Sequence, residues 1–387
     1  MSLKIPNSYL VYIFLLFMPF VGILSNNGGT VLSYGFIIVF TITLLFFKIQ
    51  LKQLSGFFLF YISLMMLALY FNIIYQQLEY SFNNTYFLQF FGSQLFFFLL
   101  FYFFANIKLI HQKYLSRFFK FMVILIFISV LIDYILLNSG FTTAQLMYQA
   151  DAFSYHNKPL GIFGQFSINS TYIVVFYMLY RSMQERSKNN YMLFFMVTIT
   201  IILEDSGSGY IAYLLLLTTI MYTYSLLKYT FIPITIIILY LISNNTVSKL
   251  SVDYLQFLYD YFTEIVQITY IDSIYTLNDV LFGIDGNFDF PIDFGPMFMI
   301  AKVGLVYFIL YNIAILYLIF KAKSIYFKMA IYILIVSNMH YPTLFYPIMN
   351  VLLPILMMYA MNKQKSQKVI LFTKGSLNKA QENNLCN

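Results

Sequence analysis

Residues 118–137 read FFKFMVILIFISVLIDYILL, and only Lys120 and Asp133 in this run carry charge. A transmembrane α-helix needs about 20 mostly apolar residues, because every backbone N–H and C=O must be satisfied within the segment. The run is too long for a strand of a membrane barrel, and its residues do not alternate between apolar and polar as those of such a strand do. The sequence therefore predicts a membrane-spanning helix here.

The whole chain shares this composition. Of its 387 residues, 61% are hydrophobic and 10% are charged, whereas a soluble domain is about 45–50% apolar and about one quarter charged. A fold in water would leave more apolar surface exposed than a core can hide, so we expect lipid to be the solvent. Cys386 is the only cysteine, so no intrachain disulfide can form.

Twelve apolar runs are candidate spans, which predicts an all-α, polytopic membrane domain over residues 1–361 followed by a basic tail over 362–387. The runs are 9–25, 31–47, 56–75, 86–105, 118–137, 168–183, 190–204, 209–227, 229–243, 296–320, 325–339 and 343–361. We interpret the first as a retained span, because no small-residue cleavage pattern follows it. The seventh and ninth are short, so they either tilt differently or re-enter the membrane.

The basic residues predict an orientation, since Lys and Arg near span ends collect on the cytoplasmic side. With the N-terminus inside, 19 of the 22 lie inside, and only Lys158, Lys249 and Lys302 lie on or near the outer side. Both termini are then cytoplasmic, and residues 138–167 and 244–295 form long outer loops. The net charge of +7 is thus a topology signal, and we expect no nucleic-acid partner.

The second outer loop carries most of the acidic residues. Apolar residues recur at helical spacing from Leu255 to Ile265, which predicts an amphipathic helix on the outer surface. Residues 283–294 interleave Asp with Gly, Asn and aromatic residues, but they lack the ligand register of a calcium loop. We interpret these acids as facing sugar or water, and we expect neither a metal nor a cofactor.

Two polar segments at outer span ends are candidate sites. Residues 154–165 contain His156 and Lys158 beside Pro and Gly. Lys158 either binds a phosphate, with His156 or Asn157 on a sugar hydroxyl, or is exposed on a solvated loop. Residues 204–209 place two adjacent carboxylates before Gly and Ser. That pattern suits a turn lining a cavity, with one acid as a base or cation partner, or else a turn capped by Ser208 with its acids in water.

Three further side chains are candidates. His340 starts a turn with Tyr341 and Pro342, and His is the usual general base near neutral pH, although a lone His is often structural. Lys302 lies about two turns inside the tenth span. It either pairs with Asp293 or a phosphate, or extends to the membrane surface. Asp133 is the weakest of these candidates.

Four motifs follow one another in a characteristic order: KPLGIFG at 158–164 with Asn169, SGSG at 206–209, LFG at 281–283 with the acidic loop and Gly304, and HYP at 340–342. In these motifs the chain resembles bacterial polysaccharide polymerases of the Wzy type, which are related to O-antigen ligases. The resemblance covers roughly residues 150–350. It implies a GT-C-like architecture at the outer face of the bacterial cytoplasmic membrane.

The resemblance also implies a reaction: metal-independent glycosyl transfer from undecaprenyl pyrophosphate onto the next lipid-linked oligosaccharide repeat, which extends O-antigen or capsule. A flippase and a chain-length regulator are the implied partners. By matching position, Lys158 stands where the family usually has Arg, and His340 is the base or an orienting group. Lys cannot grip phosphate bidentately as Arg does. The expected catalytic residues are His340, Lys158 and His156, and the expected substrate-binding residues are Lys158, Lys302, Lys249, Asn169, Asp205, Ser206 and Ser208.

Two other functions stay open. An O-antigen ligase shares the architecture but transfers finished chains to the lipid A core. A flippase or transporter for lipid-linked sugars would typically place cations deep in several spans and would show two related halves. The few outer cations and the large outer loop favour the enzyme.

The predicted orientation is testable by cysteine labelling in a background without Cys386. New cysteines near Asn138 and Asp272 should react with an impermeant reagent added outside, and cysteines near Lys188 should stay protected, because the basic residues retain their loops in the cytoplasm. The reverse labelling pattern would contradict the topology.

Overall fold

The computed structural model describes residues 56–79, 112–139, 158–184, 190–224, 267–272, 276–284, 294–340 and 343–345, with isolated residues between 256 and 274 and between 349 and 357. This part of the chain is helical and contains no strand, which confirms the all-α class for it. The predicted spans 9–25, 31–47, 86–105 and 229–243 lie outside the described residues, as does most of 343–361.

Seven helices coincide with predicted spans, and two short helices and a 3-10 turn accompany them. The seven are α1 (Gly56–Glu79), α2 (Gln112–Asn138), α3 (Phe166–Ser182), α4 (Tyr191–Glu204), α5 (Gly207–Thr223), α8 (Gly295–Lys321) and α9 (Ile325–Asn338). The short helices are α6 (Gln267–Asp272) and α7 (Leu277–Phe282), and the turn is Thr343–Phe345.

Within the described residues, two helices are long and apolar enough to cross a membrane by length and composition. They are Leu115–Asn138 and Gly295–Lys321, whereas Ser63–Gln76, Tyr191–Glu204 and Ile325–Asn338 are apolar but shorter. The twelve-span arrangement therefore stays a prediction.

In the predicted amphipathic helix, Gln256 Nε2 donates to Asp260 Oδ1 at 2.8 Å. The apolar face of this helix lies outside the described residues.

Helix α3 is the centre of the bundle. Every residue from Ser167 to Tyr180 is buried, because α2, α4, α5 and α9 all pack around it. Aromatic side chains fill this core. Phe176 stacks on Phe119 of α2 with ring centroids 5.9 Å apart, and Tyr172 lies 5.9 Å from Phe176. One face of each surrounding helix thus packs on a helix that is buried on every side.

Helices α2 to α5 run in alternating directions along the bundle. The bundle therefore has two ends, and these differ chemically. One end holds the start of α3, the turn between α4 and α5, and the last turn of α9, where Thr171 contacts Ser337. The other holds the end of α3 and the start of α2, where Gln184 donates to Ser116 Oγ at 2.5 Å. We call these the Lys158 end and the Arg181 end. Connections at each end are therefore the places where polar groups can gather.

Helix α8 is interrupted at Gly304, which has φ 80° and ψ 160°. The carbonyls before the break are satisfied from outside the helix: Ile284 N donates to Ala301 O at 2.8 Å, and Asn72 of α1 donates to Lys302 O at 3.2 Å. A Cβ on Gly304 would lie 2.2 Å from Leu281 O. The LFG motif and Gly304, linked at the sequence level only by their order, are therefore in direct contact.

Replacing Gly304 by Ala should destabilise the protein by roughly 1–3 kcal/mol, because only glycine adopts this backbone region without strain, and the new methyl group meets fixed backbone atoms. Gly207→Ala is the matched control, since a Cβ there meets nothing within 4 Å. Thermal unfolding of both purified variants in the same detergent checks this. Equal melting temperatures would contradict the assigned role of the break.

Candidate functional site

The loop that precedes α3 is held by side chains from two helices. From α2, Asp133 Oδ2 accepts from Gly161 N at 2.7 Å, and Ser129 Oγ accepts from Ile162 N at 3.0 Å. From α3, Asn169 Oδ1 accepts from Phe163 N at 3.1 Å. Ser129 and Asp133 are one helical turn apart and so face the same side of α2. The loop is thus fixed by polar groups although it lies among apolar helices.

Two glycines and the Asn169 amide complete the loop. Gly161 and Gly164 have φ of +56° and +66°, a region that L side chains rarely adopt. The Asn169 amide nitrogen donates to Leu160 O and to Gln165 O at 2.9 Å. The KPLGIFG motif and Asn169, grouped by sequence order alone, form one hydrogen-bonded unit.

Lys158 joins this loop to the α4–α5 turn. Its Nζ forms an ion pair with Asp205 Oδ2 at 3.1 Å, donates to Asp205 O, and lies 5.3 Å from the centre of the Phe166 ring. The side chains of Lys158 and Asp205 are 21% and 46% exposed, so the pair lies where the polar cluster opens to the surroundings. An ammonium group in this position is held in place but can still reach a ligand.

Asp205 is fixed on its other side as well. It is the one non-glycine residue with positive φ in the described part of the chain, at 41°, and it ends α4 in the left-handed region. Tyr210 of α5 donates to its Oδ1 at 2.9 Å. The sequence did not indicate which of the two carboxylates, Glu204 or Asp205, pairs with a cation. In the structure it is Asp205.

Three buried serines lie beneath this pair. Ser206 Oγ donates to Ser167 Oγ at 3.1 Å and lies 3.0 Å from Ser208 Oγ. Gly209 lets α5 approach α3, since a Cβ there would lie 2.6 Å from Ser170 Cβ. The capping interpretation of Ser208 is not what the structure shows, because Ser206 occupies the N-cap position of α5, and its side chain makes no capping hydrogen bond. The SGSG motif instead brings hydroxyls and α5 against α3.

Glu204 is fully buried next to this group. Neither of its carboxyl oxygens has a hydrogen-bond partner among the described residues. Asn169, Asp133 and Lys158 are near enough to act on it electrostatically, but the Asn169 amide already donates to two loop carbonyls. Buried polar groups are nearly always paired, so Glu204 is the feature of this cluster that most needs explanation.

The His340 turn lies at the same end of the bundle. His340 is half-buried, and its backbone N donates to Ser337 O at 3.1 Å. The residues after it are tied to the core, because Tyr172 of α3 donates to Thr343 O at 2.8 Å and Tyr311 of α8 donates to Leu344 O at 2.7 Å. The structure thus brings the first two motifs and His340 of the fourth to the same end of α3.

The remaining predicted site residues lie apart from this group or outside the described residues. Lys302 is half-buried in α8, two residues before the break at Gly304. His156, Lys249 and Asp293 lie outside the described residues, so their roles stay predictions. In the described part of the chain, no group of three or more His, Cys, Asp and Glu is placed to bind a metal ion.

Sequence reasoning gave too little weight to Ser129, Asp133, Ser167 and Glu204. Asp133 was the weakest candidate, yet it is 6% exposed and anchors the loop. The signal that pointed to it was present: an ionisable residue inside an apolar run usually has a partner or a function.

No protein-family model, curated protein or solved structure matches this chain.

Removing the loop anchor should destabilise the protein. Asp133→Ala leaves the buried Gly161 N–H without its acceptor, which costs about 1–3 kcal/mol, whereas Asp133→Asn keeps an acceptor oxygen and should lose much less. Thermal unfolding in detergent separates the two variants. If Ala and Asn lower the melting temperature equally, the carboxylate charge and not the hydrogen bond holds the loop.

Proposed function

We propose that this protein is a metal-independent glycosyltransferase of the bacterial cytoplasmic membrane. It joins undecaprenyl-pyrophosphate-linked oligosaccharide repeats into O-antigen or capsule on the outer face. The observation that carries the proposal is the Lys158–Asp205 ion pair, which connects the KPLGIFG and SGSG motifs across 47 residues. Both motifs support the resemblance to Wzy-type polymerases, and the pair brings them into one site.

The reaction needs a cation where the pyrophosphate departs. The acceptor hydroxyl of one repeat attacks the anomeric carbon of the other, a new glycosidic bond forms, and the old bond to pyrophosphate breaks. Lys158 stabilises the negative charge that moves onto the leaving pyrophosphate. Asp205 and the Phe166 ring hold the ammonium group in position before the substrate arrives, so little reorganisation is needed during the reaction.

The reaction also needs a base for the proton of the acceptor hydroxyl. Asp205 is engaged by Lys158 and Tyr210, which makes it a poor proton acceptor. His340 is the candidate base, because it lies at the same end of the bundle, just before the Thr343–Phe345 turn that Tyr172 of α3 anchors, and a His accepts protons near neutral pH. The Ser167, Ser206 and Ser208 hydroxyls are buried and contact one another, so in this proposal they support the turn that carries Asp205.

A flippase for lipid-linked oligosaccharides is the second candidate function. The break of α8 beside Lys302 favours it, because discontinuous helices commonly form the substrate sites of transporters. Gel analysis of surface polysaccharide after gene deletion separates the functions. A single repeat on the lipid indicates a polymerase, repeats trapped inside indicate a flippase, and unattached long chains indicate a ligase.

Lys158→Ala should reduce chain extension by about 100-fold or more, the usual effect of removing one group that stabilises the transition-state charge. Lys158→Arg should keep substantial activity, because Arg is a good phosphate ligand. The chain-length distribution of the polysaccharide made by each variant in a deletion strain is the measurement, with protein level checked in parallel.

A double mutant separates this role from a purely structural ion pair. If Lys158 only neutralises Asp205, Lys158→Ala combined with Asp205→Ala should recover activity, because the unpaired carboxylate is gone. If Lys158 acts on pyrophosphate, the double mutant should stay as inactive as Lys158→Ala. Wild-type chain lengths in Lys158→Ala would rule out the site assignment itself.

A further inference from the structure

A second polar cavity lies at the Arg181 end, opposite to the proposed catalytic site. It encloses about 510 Å³, within the roughly 300–1,000 Å³ of typical ligand cavities. Its lining has no acidic residue among the described ones. It includes two cations and five hydroxyl side chains, which are Arg181, Lys323, Ser182, Thr223, Tyr224, Ser324 and Tyr326. The positive charge suits an anion, although the Ser182 and Thr223 hydroxyls already donate to Leu179 O and Thr219 O at 2.7 Å each.

Tyr326 provides an independent sign that a ligand belongs here. It lines the same cavity and is 6% exposed, and its hydroxyl makes no hydrogen bond of good geometry among the described residues, although Arg181 is near enough to act on it. Its ring lies 5.6 Å from the guanidinium carbon of Arg181, and Arg181 also donates to Tyr224 OH at 3.1 Å. Two tyrosines thus hold Arg181 in place at the cavity wall.

An apolar cavity of about 210 Å³ adjoins the polar one, and the two share Arg181 and Tyr224. Tyr177, Phe194 and Ile220 are among its lining residues. A free phosphate would use only the polar cavity. A molecule with a phosphate headgroup and a hydrocarbon chain would use both, with Arg181 at the boundary between headgroup and chain.

We propose that these two cavities bind an anionic phospholipid, with its phosphate at Arg181 and Lys323 and part of an acyl chain against Phe194 and Ile220. Arg binds phosphate through parallel N–H donors, and Lys323 adds a second positive charge. The predicted topology puts this end in the cytoplasmic leaflet, where basic pockets between helices bind anionic headgroups. The inference rests on the membrane location but not on the glycosyl transfer.

The test uses the full chain in nanodiscs of phosphatidylcholine with a minority of phosphatidylglycerol, and native mass spectrometry of the lipids that remain bound. The wild type should retain phosphatidylglycerol in excess over its share of the bilayer. Arg181→Gln and Lys323→Gln should each lower this enrichment about tenfold, since each removes a charge-assisted contact. Lys120→Gln is the matched control, because this exposed lysine of α2 does not line the cavity.

The outcomes separate the alternatives. No enrichment in the wild type, or equal enrichment in all variants, overturns the proposal. If Arg181→Gln does not fold, Lys323→Gln alone decides, because its side chain is exposed. If inorganic phosphate raises the melting temperature in pure phosphatidylcholine as much as phosphatidylglycerol does, the ligand is soluble and the lipid assignment is wrong. Failure to insert into nanodiscs would instead overturn the membrane location.

Discussion

The hydrogen bonds that α2 and α3 donate to and accept from the 158–165 loop are the interactions on which the site depends. A loop among apolar helices must satisfy its backbone from side chains, because little else there can do so. Ser129, Asp133 and Asn169 meet that requirement. Their geometry fixes where the loop begins, and hence where the ammonium group of Lys158 can reach. Without them, the contact between Lys158 and Asp205 would have no defined position.

The helices were predictable from sequence and their contacts were not. Apolar runs predicted α8 to within one residue at each end and the end of α2 to within one residue, although α2 begins six residues before the predicted start. Length and apolar composition are local properties. The partnership of Asp133 with Gly161 depends on how α2 turns its polar face toward a loop 28 residues away. Hydropathy carries no information about that pairing. Hydropathy likewise does not show why residue 304 is glycine. The reason is the close contact with the backbone of Leu281, which leaves no room for a Cβ.

The polar groups of the bundle lie at the ends of its helices, so the length of each helix keeps the two polar groups apart. α3 begins beside Lys158 and finishes at Arg181. A helix of 17 residues is roughly 25 Å long at 1.5 Å per residue, so the two cations lie near opposite ends of it. The first cation faces an aspartate and buried serines, and the second faces tyrosines and a cavity. One cation is therefore suited to a departing pyrophosphate, and the other to a resident anion.

Unsatisfied buried polar atoms mark both ends, and they point to ligands for the same reason. Glu204 and Tyr326 are buried with oxygens that meet no partner among the described residues, and leaving such atoms unpaired costs about 1–3 kcal/mol or more. Apolar replacements would avoid that cost. A hydroxyl-rich sugar beside Glu204 could donate to its carboxyl group, and a phosphate beside Tyr326 could accept from its hydroxyl. Under both proposals a bound ligand, and not the folded chain, would offset the cost of burying each group.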